Sequence, residues 1–151
     1  MTTQLFGEDV QAGDELPALV LSVDETRMFL FSAATYNAHR IHYDKTWARE
    51  VEGYQDVLVQ GPLQAALLAR AVTDWIGPRG RLVTYSAQNR AVAFPGQELE
   101  FGGRVSAVRR EDDRVLAELE LVARRGEDVL MPGSATVSLP LRSGRSSGGG
   151  S

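Results

Sequence analysis

Histidine is the side chain whose ordinary titration falls closest to neutral pH, and this chain has two, His39 and His42, in one polar stretch. The stretch reads Tyr36-Asn37-Ala38-His39-Arg40-Ile41-His42-Tyr43-Asp44 and gathers donors, acceptors and a titratable ring. Such a set can take up and return a proton. The same residues also fit a solvated loop whose histidines cap neighbouring helices. His39 and His42 could share a helical face, but no third ligand is marked out, which speaks against a metal site. A second stretch, Val57-Leu58-Val59-Gln60-Gly61-Pro62, is an apolar approach to a helix start. Gly61 lets a ligand come close to the backbone. The N–H groups of a first helical turn lack helical partners and sit at the positive end of the helix dipole, which suits a developing oxyanion. A plain Gly-Pro helix start is the alternative.

The elements that must position these residues are legible from periodicity. Residues 16–23 are apolar enough for a strand. Asp24 is a plausible N-cap for a helix through Met28, Phe29, Phe31 and Ala34 to about Tyr36. The His-bearing segment then falls in a loop between two helices, where site residues tend to sit. A further short helix is predicted over 44–50 with Asp44 as its cap. Over 62–76, Leu63, Leu67, Leu68, Ala71, Val72, Trp75 and Ile76 recur at helical spacing, with Pro62 in the first turn and Gly77-Pro78 as the stop. The opposite face (Gln64, Ala65, Ala69, Thr73) is nearly free of charge, so this helix is expected to be wrapped by protein, as by a curved sheet. Strands are predicted over 81–93, 98–109, 114–123 and 129–139. The turn signals between them, the first at Pro95-Gly96, read as hairpins in series and hence an antiparallel meander. The order argues for an α+β domain with the sheet on one side of the long helix.

Composition narrows the function classes. The 151 residues fit one domain, assigned to 1–142, and the Ser/Gly-rich stretch 143–151 reads as a flexible tail. A net charge of −4 with no basic block excludes an ordinary nucleic-acid binder. The absence of cysteine excludes disulfides, thiolate metal sites and a cysteine nucleophile. Residues 1–13 carry no apolar signal core, and no window reaches a membrane span, so a cytoplasmic protein is expected.

Taken together, the two chemical stretches resemble a known family. The phrase Phe31-Ser32-Ala33-Ala34-Thr35-Tyr36-Asn37-Ala38-His39-Arg40-Ile41-His42-Tyr43-Asp44, followed by Gln60-Gly61-Pro62-Leu63-Gln64-Ala65, is similar to the MaoC-like hydratases and dehydratases. Within that family it resembles the branch of mesaconyl- and itaconyl-CoA hydratases and the fungal-fatty-acid-synthase-like dehydratases. The resemblance runs over about residues 29–139. It implies a hot-dog fold, an antiparallel sheet around a long central helix. It also implies a lyase that reversibly adds water, in the syn sense, to a 2-enoyl thioester of CoA or a carrier protein, with no cofactor.

The resemblance also implies site residues. The family's Asp-x-x-x-x-His pair falls on Asn37 and His42. Asn37 cannot accept a proton and can only orient water, so His42 would act as base in hydration and as acid in the reverse. Tyr36, His39 and Asp44 are candidates for carrying a second proton, Asp44 being equally a helix cap. Gly61 would donate its N–H to the thioester carbonyl. Gln60, where the branch often has His, would add a donor or close the site. Arg40 could clamp a second carboxylate of the acyl group. Arg90 could do that or reach a CoA phosphate. Either arginine could also be an ordinary surface residue. Hot-dog units usually pair, so a homodimer, or a heterodimer with a second hot-dog unit, is expected. Two other readings remain: a hot-dog subunit that binds or scaffolds without catalysing, and a thioesterase, for which the long helix offers only Asp74 as a carboxylate.

Overall fold

The computed structural model describes residues 3–142. The tail predicted at 143–151 lies outside them. The elements are β1 (Leu19–Ser22), α1 (Glu25–Thr35), a 3-10 turn (Arg40–His42), a wide turn (Trp47–Val51), α2 (Gly61–Ile76), β2 (Arg81–Ala87), β3 (Glu98–Glu111), β4 (Arg114–Arg125) and β5 (Asp128–Pro140).

Local chemistry explains both ends of α1. The Asp24 carboxylate accepts the Arg27 N–H at 2.7 Å, meeting one of the donors a helix start leaves open. At the far end Tyr36 turns left-handed (φ 56°) and its N–H returns to the Ser32 carbonyl. The Asn37 N–H reaches the same oxygen at 3.0 Å. The chain therefore leaves α1 with its carbonyls satisfied and enters the His-bearing loop at a defined angle. The short helix predicted over 44–50 forms over 45–51, with Trp47–Val51 wound as a wide turn whose Glu52 N–H spans back to the Trp47 carbonyl. Asp44 does cap it, accepting the Trp47 N–H at 2.9 Å.

The sheet is antiparallel and ordered β1-β3-β4-β5-β2. In β4, Val115, Ala117, Leu119, Leu121 and Ala123 alternate inward, and their neighbours Phe101 on β3 and Val137 on β5 are fully buried. Together the strands curl around α2, which touches all five. Leu67, Leu68, Val72 and Ile76 of α2 fill the concave side. This is the hot-dog architecture.

Four expectations need correction. The strand over 16–23 shortens to β1, because Pro17 carries no N–H for the ladder. The Pro95-Gly96 hairpin does not form: β2 pairs with β5, and the chain crosses to the opposite side of the sheet before β3 begins. Residues 88–93 are not strand either. The Gln88 and Arg90 N–H groups catch the β5 carbonyls of Pro132 and Leu130. The Ala93 carbonyl then accepts the Val59 N–H at 2.9 Å. The segment has left the ladder to wall the approach to α2. Finally, α2 is wrapped on one side only, and Pro62, Ala66, Arg70 and Thr73 remain exposed.

Candidate active site

His42 ends the 3-10 turn and is 9% exposed. Its Nδ1 lies 2.7 Å from the Leu58 carbonyl. A carbonyl can only accept, so Nδ1 carries the proton and the basic lone pair of the neutral ring is at Nε2. The Leu58 N–H in turn binds the Ile41 carbonyl at 2.9 Å. Both backbone groups of Leu58 thus hold the His42 turn, and they belong to the apolar stretch that leads into α2.

The same stretch delivers Gly61 at the first position of α2, where Gln60 makes no side-chain cap and Pro62 has no N–H. The Gly61 N–H therefore stands at the positive end of the helix dipole without a helical partner. His42 and Gly61 line one cavity of about 530 Å³. Its remaining wall is largely apolar, including Val59, Ala65, Ala87, Val92 and Met131. A larger groove, about 610 Å³, lies on the outer face of the sheet beside Arg104 and Glu120. Those two residues pair with each other at 2.7 Å, and the groove holds none of the acid–base groups.

Burial pushes the His42 pKa below the ordinary imidazole value, and the nearby His39 adds to this, while the Leu58 bond opposes it. The ring is thus neutral, and able to accept a proton, at pH 7. A depressed folded pKa means that the unfolded chain binds the extra proton first. Stability is therefore expected to rise with pH between the lowered pKa and about 6.5. Catalysis is expected to lose its acid limb with an apparent pKa below 6.5, read from kcat/KM against pH. A limb above that value would contradict the buried, carbonyl-bound ring.

The other predicted residues are placed as follows. The Asn37 Oδ1 accepts the His39 N–H at 3.4 Å. Asn37 lines a separate hollow of about 290 Å³ with Ser32, Tyr36 and Ala38. Phe29 and Tyr43 border both this hollow and a second one that His42 lines. Asn37 and His42 thus line adjoining hollows that share Phe29 and Tyr43. Tyr36 is 97% exposed. His39 stacks edge-on against His42 with ring centroids 5.9 Å apart. Arg40 is already engaged: it pairs with Asp44 at 2.8 Å and stacks on Trp47 at 4.1 Å. The Trp47 N–H and Arg40 hold the Asp44 carboxyl below its usual range, so it stays ionised and carries no proton near neutrality. Arg90 binds Gln88. Asp74 is exposed beside Arg70, at the far end of α2 from Gly61.

Gln60 is fully buried, and its Nε2 donates to the Met28 carbonyl at 2.6 Å and the Ser32 hydroxyl at 2.9 Å. Of its two expected roles, the side-chain donor is committed to protein partners. It ties α1 to the start of α2. Three cavity residues escape the sequence reading: Tyr54, Asn89 and Gln64. A Cβ on Gly61 would meet the Asn89 amide at 3.2 Å, a neighbour that no spacing rule reveals. Gln64, assigned by periodicity to the outer face of the helix, is buried. Its position one turn beyond Gly61 was the available signal.

A model of the hydroxyacyl-thioester dehydratase type 2 family matches residues 9–94, a stretch that carries His42, Leu58 and Gly61. The chain belongs to that family. It is 56% identical over 45 residues to the mesaconyl-C(4)-CoA hydratase of Chloroflexus aurantiacus, covering 30% of this chain and 16% of that protein. The chain thus matches only a small part of that relative's length. A relative of similar size is the 3-oxo-4,17-pregnadiene-20-carboxyl-CoA hydratase beta subunit of Mycobacterium tuberculosis, 29% identical over 132 residues, or 86% of this chain and 95% of that one. The solved (R)-hydratase of A. caviae superimposes with a TM-score of 0.79 at 21% identity, over 88% of this chain and 99% of that one. That likeness speaks for the fold this dehydratase-family member shares with it. No helix among the described residues is long and apolar enough to cross a membrane.

Proposed function

We propose that the chain catalyses reversible hydration of a 2-enoyl thioester, the reverse being dehydration of a 3-hydroxyacyl thioester. The observation that carries this is the shared cavity of His42, held as a neutral base by the Leu58 carbonyl, and the unpartnered N–H of Gly61. In hydration, the thioester oxygen accepts the Gly61 N–H, which draws charge from the C2–C3 bond. His42 Nε2 takes one proton from water as its oxygen bonds to C3. The electron pair moves through C2 to the thioester oxygen as an enolate, which the helix N-terminus stabilises. The imidazolium then returns that proton to C2, and the enolate collapses to the thioester. One group serving both transfers gives addition on one face. Dehydration runs the same steps backwards.

The apolar wall formed by Val59, Ala65, Ala87, Val92 and Met131 supports a hydrocarbon acyl group. With Arg40 occupied by Asp44, a second carboxylate on the acyl group finds no ready clamp there. Asn37 then acts by holding the His39 backbone, and with it the turn that presents His42. A second hot-dog unit, identical or not, belongs to the proposal. Its support is the unpaired edge of β2, the open strip of α2, and the exposed Phe29 and Leu30 of α1. The mycobacterial relative's name, a beta subunit, points the same way.

The test is loss of the enoyl-thioester absorbance when crotonyl-, mesaconyl- and itaconyl-CoA are offered to the purified chain. Turnover is expected, with crotonyl-CoA preferred. Binding of these thioesters without turnover would favour the scaffolding reading, and release of free CoA the thioesterase one. Preference for the dicarboxylyl substrates would return Arg40 to the site.

A further inference from the structure

We propose that Gln64 holds the hydrogen that stays on oxygen when water adds to C3, an assignment that rests on the hydratase reading. Gln64 is 1% exposed and sits one helical turn after Gly61, on the same face of α2. It lines the cavity that His42 and Gly61 line. Its Oε1 has no hydrogen-bond partner. The Oε1 of Gln60 is likewise unpartnered, but that side chain has a structural task, since its Nε2 bridges Met28 and Ser32. No comparable task falls to the Gln64 oxygen. A buried acceptor without a donor opposes folding, and methionine would fill the same volume without that penalty.

The missing donor follows from the chemistry of the cavity. Val59, Ala65, Ala87 and Met131 have no side-chain donor to offer, and the two neighbours that do carry one, Tyr54 and Asn89, make no hydrogen bond to Gln64 Oε1. The reacting part of an enoyl thioester, C1 to C3, carries no N–H or O–H. Water and the 3-hydroxyl of the product do. Water has two hydrogens. His42 Nε2 takes one and passes it to C2; the other remains as the hydroxyl hydrogen, and Gln64 Oε1 accepts it throughout. Held at both hydrogens, the water turns a lone pair to C3. Oε1 is closed to solvent in this conformation, and the amide torsion is broad, so a turn of the amide brings Oε1 to the cavity side as water binds. The motif implies an orienting task for Asn37 as well, whose amide oxygen accepts the His39 N–H at 3.4 Å.

The assignment is tested by combining kinetics with binding. Gln64→Met is expected to lower kcat for crotonyl-CoA hydration about 10²-fold, with KM little changed and no fall in melting temperature. A merely structural glutamine would instead lose stability along with activity. Binding is measured in a His42→Asn background, which prevents turnover, with racemic 3-hydroxybutyryl-CoA and with butyryl-CoA as probes. The hydroxylated probe is expected to bind about tenfold tighter, the worth of one neutral hydrogen bond. Adding Gln64→Met abolishes that preference, and Gln64→Glu, which keeps an acceptor, retains part of it. A preference that survives Gln64→Met, or a normal kcat in that variant, overturns the assignment while leaving the hydratase reading intact. Absence of turnover by the parent chain, together with failure to bind either probe, overturns the hydratase reading and this inference with it.

Discussion

His42→Ala lowers hydration of an enoyl thioester by a factor of about 10²–10⁴, the usual contribution of a positioned acid–base group, while the chain stays folded. Without the imidazole nothing in the cavity can take the proton from water near neutral pH. Gln64 and Asn89 are amides, and Asp44 is engaged with Arg40 and the Trp47 N–H. The truncation also leaves the Leu58 carbonyl without its partner, at about 1–3 kcal/mol. A domain of ordinary stability survives that loss. His42→Asn separates the two effects. The asparagine amide nitrogen takes the place of Nδ1 and can still donate to Leu58, but nothing basic remains where Nε2 was. Both variants are therefore expected to lose activity equally, and the asparagine variant to melt closer to the parent. Rate is read from enoyl absorbance and folding from a thermal melt. A near-parental rate in either variant would remove His42 as the base.

Gly61→Pro is expected to lower kcat about 10²–10³-fold, the loss typical of one oxyanion donor, with little change in stability. Proline deletes the N–H and adds its ring, at a position where helices accept it readily. The preceding residue is already prepared, since Gln60 holds φ −59° and ψ 133°, the extended conformation that proline requires before it. A Cβ added at Gly61 comes 3.2 Å from the Asn89 amide nitrogen, but Asn89 is an exposed side chain with room to turn. Gly61→Ala meets the same neighbour and keeps the N–H. The gap in kcat between the proline and alanine variants therefore isolates the donor from the added bulk. Equal losses would mean that Gly61 serves only to let the substrate approach.

Much of this molecule follows from its sequence alone. The Asp24 cap, the Gly-Pro start and helical spacing of α2, and the inward alternation of β4 are local or periodic features. Each depends on residues within a few positions of one another. The polar phrase ending at His42 and the glycine at the head of α2 are legible for the same reason, as is the family they point to. Partner choice across long separations is not legible in this way. Alternation tells which face of β2 is buried, yet not that β2 joins β5 rather than β3. The role of each polar side chain likewise depends on what stands opposite. His42 becomes a neutral base with its lone pair at Nε2 because the Leu58 carbonyl, 16 positions away, meets Nδ1. Gln60 turns inward because a carbonyl 32 positions away awaits it. Gln64, on the same helix end, is left with its Oε1 buried and unpartnered. Asn37 and Arg40 are occupied by neighbours within their own loop. An amide or guanidinium can bond almost any polar group, so its type says little until the tertiary structure brings one within reach.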